Sequence, residues 1–203
     1  SSLMMSLKNA VISVVASVSL IGCAINVSPS AFFYQDTQQK PLDTTKLHAA
    51  IQKDKTSAGI TRVEVKNEAG LTLRGVAVSY PDPIVNIVFF ADNRMPVSEN
   101  NSVIHRLGKL PANILWLDYQ GVGASDKAKD LSINAIKQDA LTQFDYVASA
   151  FDVSIPTIVH GRGIGSYFAS YVAANRKIDA LVLDGAFNNI SDLIANMVPG
   201  FSN

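Results

Sequence analysis

The chain has 203 residues, 48% of them hydrophobic, which is enough for one domain with a core and excludes a mainly disordered protein. Lys+Arg and Asp+Glu number 17 each, so the sequence lacks the positive field that recruits nucleic acid. A single cysteine excludes an intramolecular disulfide, and we expect neither a metal nor a cofactor.

Residues 1–22 have the pattern of a bacterial signal peptide. Lys8 supplies a basic start, and an apolar run over residues 10–21 follows it. At about a dozen residues this run is shorter than the roughly 20 that a membrane-spanning helix needs. The pattern therefore predicts a segment that is removed on export.

The sequence Leu-Ile-Gly-Cys at residues 20–23 resembles the lipobox of bacterial lipoproteins. The resemblance implies that Cys23 is diacylated and becomes an acylated N-terminus, which would anchor the protein in a membrane. Ala24 resembles the residues that leave lipoproteins free to reach the outer membrane, where this one would face the periplasm. We expect a lipidated tether over residues 23–42 and a folded domain over residues 43–203. The alternative is a signal peptide that happens to end at a buried cysteine.

Beyond the tether, strand and helix patterns alternate. An antiparallel hairpin is predicted first, and buried strands and helices then follow in turn. The predicted strands are 61–65, 71–76, 84–90, 114–117, 157–159 and 180–183. The predicted helices are 43–54, 98–109, 132–151, 164–174 and one from near Ser191. This order predicts an α/β fold, a mostly parallel sheet with helices on both faces preceded by an antiparallel hairpin. In residues 24–203 alone, we expect the last strand to form an open sheet edge.

One motif lies between the strand at 157–159 and the next helix, where residues 160–165 read H-G-R-G-I-G. It resembles the nucleophile elbow G-x-S-x-G of α/β-hydrolases, in which a sharp strand-to-helix turn raises a serine above the sheet. Gly161 and Gly165 match the elbow glycines, while Gly163 stands where the serine belongs. Glycine keeps the strained turn and removes the nucleophile.

Two further matches extend the resemblance. Residues 118–125, D-Y-Q-G-V-G-A-S, resemble the D-Y-R-G-x-G-x-S segment after the fourth strand of many α/β-hydrolases, with Gln120 replacing the usual arginine. Residues 183–187 resemble the end of that core's sixth strand. The aromatic residues 32–34 are similar to those of lipoprotein members whose elbow reads G-R-S-L-G-G. The resemblance implies an α/β-hydrolase core up to its sixth strand, truncated at its C-terminal side.

The family's oxyanion hole combines the amide after the nucleophile with one from the loop after the third strand. The matching candidates here are Ile164 and the loop residues Ala91, Asp92 and Asn93. A carboxylate at Asp92 would oppose a developing oxyanion, and a solvated loop acid is the alternative interpretation.

In the family, the catalytic acid and histidine follow later strands, so we expect both to be missing from this chain and both of its ends to be cuts in a longer reading frame. His160 is expected to pack, while His48 and His105 fall on upstream helices. Ser166, in the first turn of the helix after the elbow, is the candidate for a replacement nucleophile.

Three functions remain open. The first is an envelope lipoprotein of the serine esterase or thioesterase lineage, inactive as it stands. The second is a non-catalytic lipoprotein that binds an acyl or ester small molecule or a protein. The third is a nucleotide-cofactor enzyme, because Gly161-x-Gly163-x-x-Ser166 with Asp184 is a degenerate dinucleotide fingerprint. The expected partners are the membrane, through the lipid on Cys23, and an acyl or ester ligand, but not nucleic acid.

Overall fold

The computed structural model describes residues 3–6, 33–52, 58–183, 187–198 and 200, with the backbone alone at 3–6, 187 and 188. Most of the predicted signal peptide, Cys23 and Asp184 lie outside this part of the chain. Within it, seven strands form one sheet in the order β1-β7-β6-β4-β5-β3-β2. The strands are β1 Leu3–Ser6, β2 Gly59–Lys66, β3 Thr72–Ser79, β4 Val85–Phe90, β5 Ala112–Leu117, β6 Thr157–Gly161 and β7 Ala180–Leu183.

The centre of this sheet is parallel and its borders are antiparallel. Strands β7, β6, β4 and β5 pair in parallel, and the β2–β3 hairpin joins them through an antiparallel β3–β5 pairing. Every residue of β4 is buried, which explains why all of them except Asn86 are apolar. The predicted parallel sheet with a preceding hairpin is confirmed.

Helices cover both faces of the sheet, and each face holds its own apolar cluster. Residues of α3 and α4 belong to one cluster, and residues of α1, α2 and α5 belong to the other. None of the described helices is long and apolar enough to cross a membrane. The helices are α1 Thr44–Gln52, α2 Asn101–Leu107, α3 Ile133–Ala150, α4 Gly165–Asn175 and α5 Phe187–Met197, with a 3₁₀ turn at Val97–Glu99.

Two predicted helix starts are wrong. The helix predicted from Ser98 is divided into the 3₁₀ turn and α2, because Asn100 leaves the helical conformation between them. The last helix begins at Phe187 rather than near Ser191. By contrast, Ser132 caps α3 as predicted, its hydroxyl accepting from the amide of Ala135 at 3.2 Å.

The open edge expected for residues 24–203 stays a prediction, because in residues 1–203 a further strand covers β7. Strand β1 pairs with it in antiparallel fashion, Leu3 opposite Leu183 and Ser6 opposite Ala180. The backbone groups of β7 that face away from β6 therefore find partners within the same chain. Strand β1 belongs to the segment predicted to be a signal peptide, so a chain processed before Cys23 would lack it.

Residues 33–42, the described part of the predicted tether, pack on the domain; we call them the strap. The ring of Phe33 is 2% exposed and makes edge-on contacts with Tyr119 and Phe168 at centroid distances of 5.3 and 6.1 Å. Backbone hydrogen bonds from Asp36 to Gly121 (2.7 Å) and from Lys40 to Gly123 (2.8 Å) fasten the strap to the loop after β5. The folded unit therefore begins upstream of residue 43.

Candidate functional site

The turn from β6 into α4 has the tight geometry of a strand-to-helix elbow. A Cβ atom on Gly161 would collide with the carbonyl group of Gly165, and one on Gly165 would collide with the carbonyl oxygen of Phe90. Glycine is therefore required at Gly161 by the close approach of α4 to β6, and at Gly165 by its close approach to β4. Gly163, at the tip, has φ +55°, a left-handed conformation that favours glycine.

Asp92, just beyond β4, reaches over the tip of this elbow. Its Oδ1 accepts a hydrogen bond from the amide of Ile164 at 3.2 Å and another from the amide of Asn93 at 2.7 Å. A Cβ atom added to Gly163 would fall inside the Asp92 carboxylate, closer than the 3.0 Å that real Cβ atoms respect. One carboxylate thus fills the space of a side chain at position 163 and engages the amide of Ile164.

This contact lies at the switch point of the sheet. The chain leaves β4 for β5 on one side and later adds β6 and β7 on the other. In open α/β sheets, the loops at such a reversal border a crevice where ligands bind. The two loops that meet here, after β4 and after β6, contribute the Asp92 carboxylate and the exposed Gly163.

The loop that carries Asp92 is held from two further directions. The hydroxyl of Tyr119 donates to the carbonyl of Ala91 at 2.7 Å, and burial followed by the Asp92 charge raises the pKa of Tyr119 well above its usual value. The side-chain oxygen of Asn93 accepts from the amide of Tyr34 in the strap at 2.9 Å. Tyr119 therefore stays a neutral hydrogen-bond donor, and the side chain of Asn93 links the loop to the strap.

The glycine-rich run after β5 is built around Asp118. Its buried carboxylate accepts from the amides of Val97 and Ala124, each at 2.9 Å. Burial raises the pKa of Asp118 to about 7 against the lowering effect of these two hydrogen bonds. Ser125 donates to the Asp118 carbonyl at 2.7 Å. These residues organise the loop, and the strap lies on it.

Gln120, the residue that departs from the family pattern, has a buried partner. Its amide nitrogen donates to Asp139 at 2.6 Å, and Asn67 donates to the other oxygen of that carboxylate at 2.9 Å. Burial raises the pKa of Asp139, opposed by these two hydrogen bonds. Two neutral amides therefore donate hydrogen bonds to the buried carboxylate of Asp139, and Gln120 does so from the position where the family pattern has arginine.

The remaining candidates lie apart from the elbow tip or inside the core. His160 is fully buried, and neither ring nitrogen has a hydrogen-bond partner among the described residues. Burial, and then the charge of Arg162, lowers the pKa of His160 to about 3. The Ser166 hydroxyl, in the first turn of α4, donates at 3.2 Å to the carbonyl of Gly161 at the end of β6. His48 and His105 lie on α1 and α2.

Sequence reasoning named the elbow and its loops but missed two features of the site. The resemblance placed Asp92 near the amide of Ile164, but it did not predict that the carboxylate occupies the space of a side chain at position 163. It also missed the strap, although the aromatic residues 32–34 were the signal that could have located it.

Solved structures of hydrolases share this architecture. The esterase Pf2001 of Pyrococcus furiosus is 16% identical with a TM-score of 0.51, over 68% of this chain and 49% of the esterase. An α/β-hydrolase from Vibrio vulnificus is 21% identical with a TM-score of 0.51, over 80% of this chain and 63% of that chain. No family model and no curated protein matches the sequence. The chain has the α/β-hydrolase fold and spans about half the length of the Pyrococcus esterase.

Proposed function

We propose that this chain, which has the α/β-hydrolase fold, is a bacterial envelope lipoprotein that does not hydrolyse esters or thioesters. The observation that carries the loss of activity is the position of the Asp92 carboxylate over Gly163 and against the amide of Ile164. The lipid anchor rests on the Leu-Ile-Gly-Cys sequence at residues 20–23.

Asp92 opposes acyl transfer in two ways. At position 163 there is no hydroxyl to form a covalent intermediate, and the space where one would start is taken by a carboxylate. The amide of Ile164, which in the family donates to the oxyanion, is bonded to a negative charge instead. Removing one oxyanion-hole donor costs about 10²–10³-fold in kcat, and a carboxylate at that place would add repulsion.

The same contact argues against the nucleotide-cofactor function. In dinucleotide-binding folds, the pyrophosphate sits at the N-terminus of the helix that follows the glycine-rich turn. Here that helix is α4, and the Asp92 carboxylate already accepts from Ile164 at its start. A phosphate would meet a like charge at the position where it needs donors.

The test measures hydrolysis of nitrophenyl acetate and butyrate and labelling by a fluorophosphonate probe. We expect the chain to cleave these esters no faster than heat-denatured protein and to show no specific labelling. Ser166→Ala serves as the matched control, because Ser166 is the nearest hydroxyl along α4. Labelling that Ser166→Ala abolishes, or ester cleavage above the denatured background, would overturn the proposed loss of activity.

A further inference from the structure

We infer that the face formed by the strap and the loop after β4 is turned toward the bilayer, with phospholipid headgroups as its partner. This inference rests on the proposed lipidation of Cys23. We call this surface the strand-end face; it comprises Tyr34, Asp92, Asn93 and Arg94.

The first step is the place where the chain enters the domain. Phe33 is buried between Tyr119 and Phe168, and the amide of the next residue, Tyr34, donates to Asn93 at 2.9 Å. The strap therefore begins beside the loop after β4, at the carboxyl end of the parallel strands.

The second step is the length of chain between the anchor and this entry point. Ten residue steps separate Cys23 from Phe33. Whatever their conformation, they reach at most about 35 Å, since an extended chain spans about 3.3–3.6 Å per residue. The opposite end of the parallel strands is a further strand length away, about 17–20 Å. The anchor therefore keeps the entry point of the strap within about 35 Å of the membrane, and the chemistry of the surface decides which end of the domain turns toward it.

The third step is the firmness of the connection. Besides the Phe33 ring, the strap is held by hydrogen bonds from Asp36 to Gly121 at 2.7 Å and from Lys40 to Gly123 at 2.8 Å. The amide of Gly123 returns a hydrogen bond to the Asp36 carboxylate at 2.7 Å. With contacts along the strap in both directions, the domain cannot turn independently of the point where the strap begins.

The fourth step is the chemistry of the surface itself. Tyr34 is one of the exposed large side chains in the described part of the chain, at 37% exposure, and the guanidinium of the exposed Arg94 lies 4.5 Å from its ring centroid. An amphipathic ring with a long cationic side chain suits the headgroup layer, where the ring meets the acyl boundary and the cation meets phosphate. The partner is thus a phospholipid surface.

The experiment uses tryptophan reporters in the acylated protein, residues 23–203, reconstituted in phosphatidylcholine vesicles that carry a nitroxide on the headgroup. Tyr34→Trp reports on the strand-end face. Val153→Trp is the matched control, because Val153 is 70% exposed and lies just before β6, at the opposite end of the parallel strands. Trp116 is buried and contributes the same background to both variants.

We expect the nitroxide to quench Tyr34→Trp strongly and Val153→Trp little, and the difference to vanish when Cys23→Ser removes the anchor. Suppose that the protein incorporates labelled palmitate and binds the vesicles, and yet shows equal quenching of the two reporters or stronger quenching of Val153→Trp. This result would support the lipidation and overturn the proposed orientation. A protein that incorporates no palmitate overturns both.

Discussion

The carboxylate of Asp92 lies where the side chain of residue 163 would begin, and its Oδ1 accepts from the next amide, that of Ile164, at 3.2 Å. The two positions are therefore coupled. With Asp92 in this place, residue 163 must be glycine. Because residue 163 has no side chain, the carboxylate of Asp92 can reach the Ile164 amide and accept its hydrogen bond.

This coupling predicts the stability of Gly163→Ser. A side chain in the left-handed conformation costs about 1–3 kcal/mol, and the collision with Asp92 adds to that cost. Gly70→Ser is the matched control, since Gly70 also has positive φ but would meet nothing within 4 Å. We expect urea unfolding to show a larger loss for Gly163→Ser than for Gly70→Ser. Adding Asp92→Ala should recover the excess, and purely additive effects in this cycle would contradict the coupling.

The strap predicts unequal effects at two neighbouring aromatic residues. Phe33→Ala removes a ring that is 2% exposed, so we expect it to lower the free energy of unfolding by about 3–5 kcal/mol and to expose the strap to proteases. Tyr34→Ala, at 37% exposure, loses mainly its contact with Arg94, which is worth about 0.5–1 kcal/mol. Equal losses in urea unfolding would show that the strap does not pack on the core.

Asp118 and His160 predict opposite dependences of stability on pH. The pKa of Asp118 rises from 3.8 to about 7 on folding, so its contribution is greatest below pH 3.8 and is lost as the pH rises through 7. The pKa of His160 falls from 6.5 to about 3, so its contribution is present above pH 6.5 and is lost as the pH falls toward 3. Between pH 3.8 and 6.5 the two slopes, each up to about 1.4 kcal/mol per pH unit, oppose each other.

Single substitutions should separate these slopes. Between about pH 4 and 6.5, both groups bind protons differently in the folded and unfolded states. In this window, relative to the unsubstituted chain, we expect the free energy of unfolding to rise with pH in Asp118→Asn and to fall with pH in His160→Leu. Urea unfolding at about pH 4.5, 5.5 and 6.5 measures this, because one pH unit changes the free energy of unfolding by up to about 1.4 kcal/mol. Parallel curves for all three proteins would show that neither group changes its proton affinity on folding.

The sequence at residues 20–23 predicts acylation of Cys23. Expressed in a diderm bacterium, the protein should incorporate labelled palmitate and fractionate with membranes, because several acyl chains on one residue anchor a protein durably. Cys23→Ser should abolish both. Unlabelled, soluble protein in the periplasm of cells expressing the unsubstituted chain would contradict the prediction.

The pairing of β1 with β7 predicts a difference between residues 1–203 and residues 23–203. The shorter chain lacks β1 and leaves the backbone groups of β7 unpaired, which favours edge-to-edge association. We expect it to sediment as a larger species. Met4→Pro in the longer chain should move it in the same direction, since proline removes a donor opposite Val182. Identical monomers in all three cases would show that β1 does not protect this edge.

Much of the fold followed from local patterns in the sequence. The largely apolar run of β4, the helical spacing in α3 and the glycine spacing of residues 161–165 are patterns over a few consecutive residues, so they could be recognised without a structure. The elbow itself was predicted from the resemblance of residues 160–165 to the G-x-S-x-G motif, and the structure shows that Gly161 and Gly165 are needed for close packing of strand and helix.

Only the tertiary structure decided what stands at the elbow. The resemblance placed the loop of Asp92 beside Ile164, but that the carboxylate occupies the space of a side chain at position 163 depends on how closely β4 and β6 lie side by side. The burial of Phe33 against Tyr119 and Phe168, and the pairing of β1 with β7, likewise join distant segments. Such contacts depend on how the sheet and the helices pack together. A hydrophobic pattern with a period of two or 3.6 residues shows which face of a strand or helix is buried, but not which distant residue packs against it.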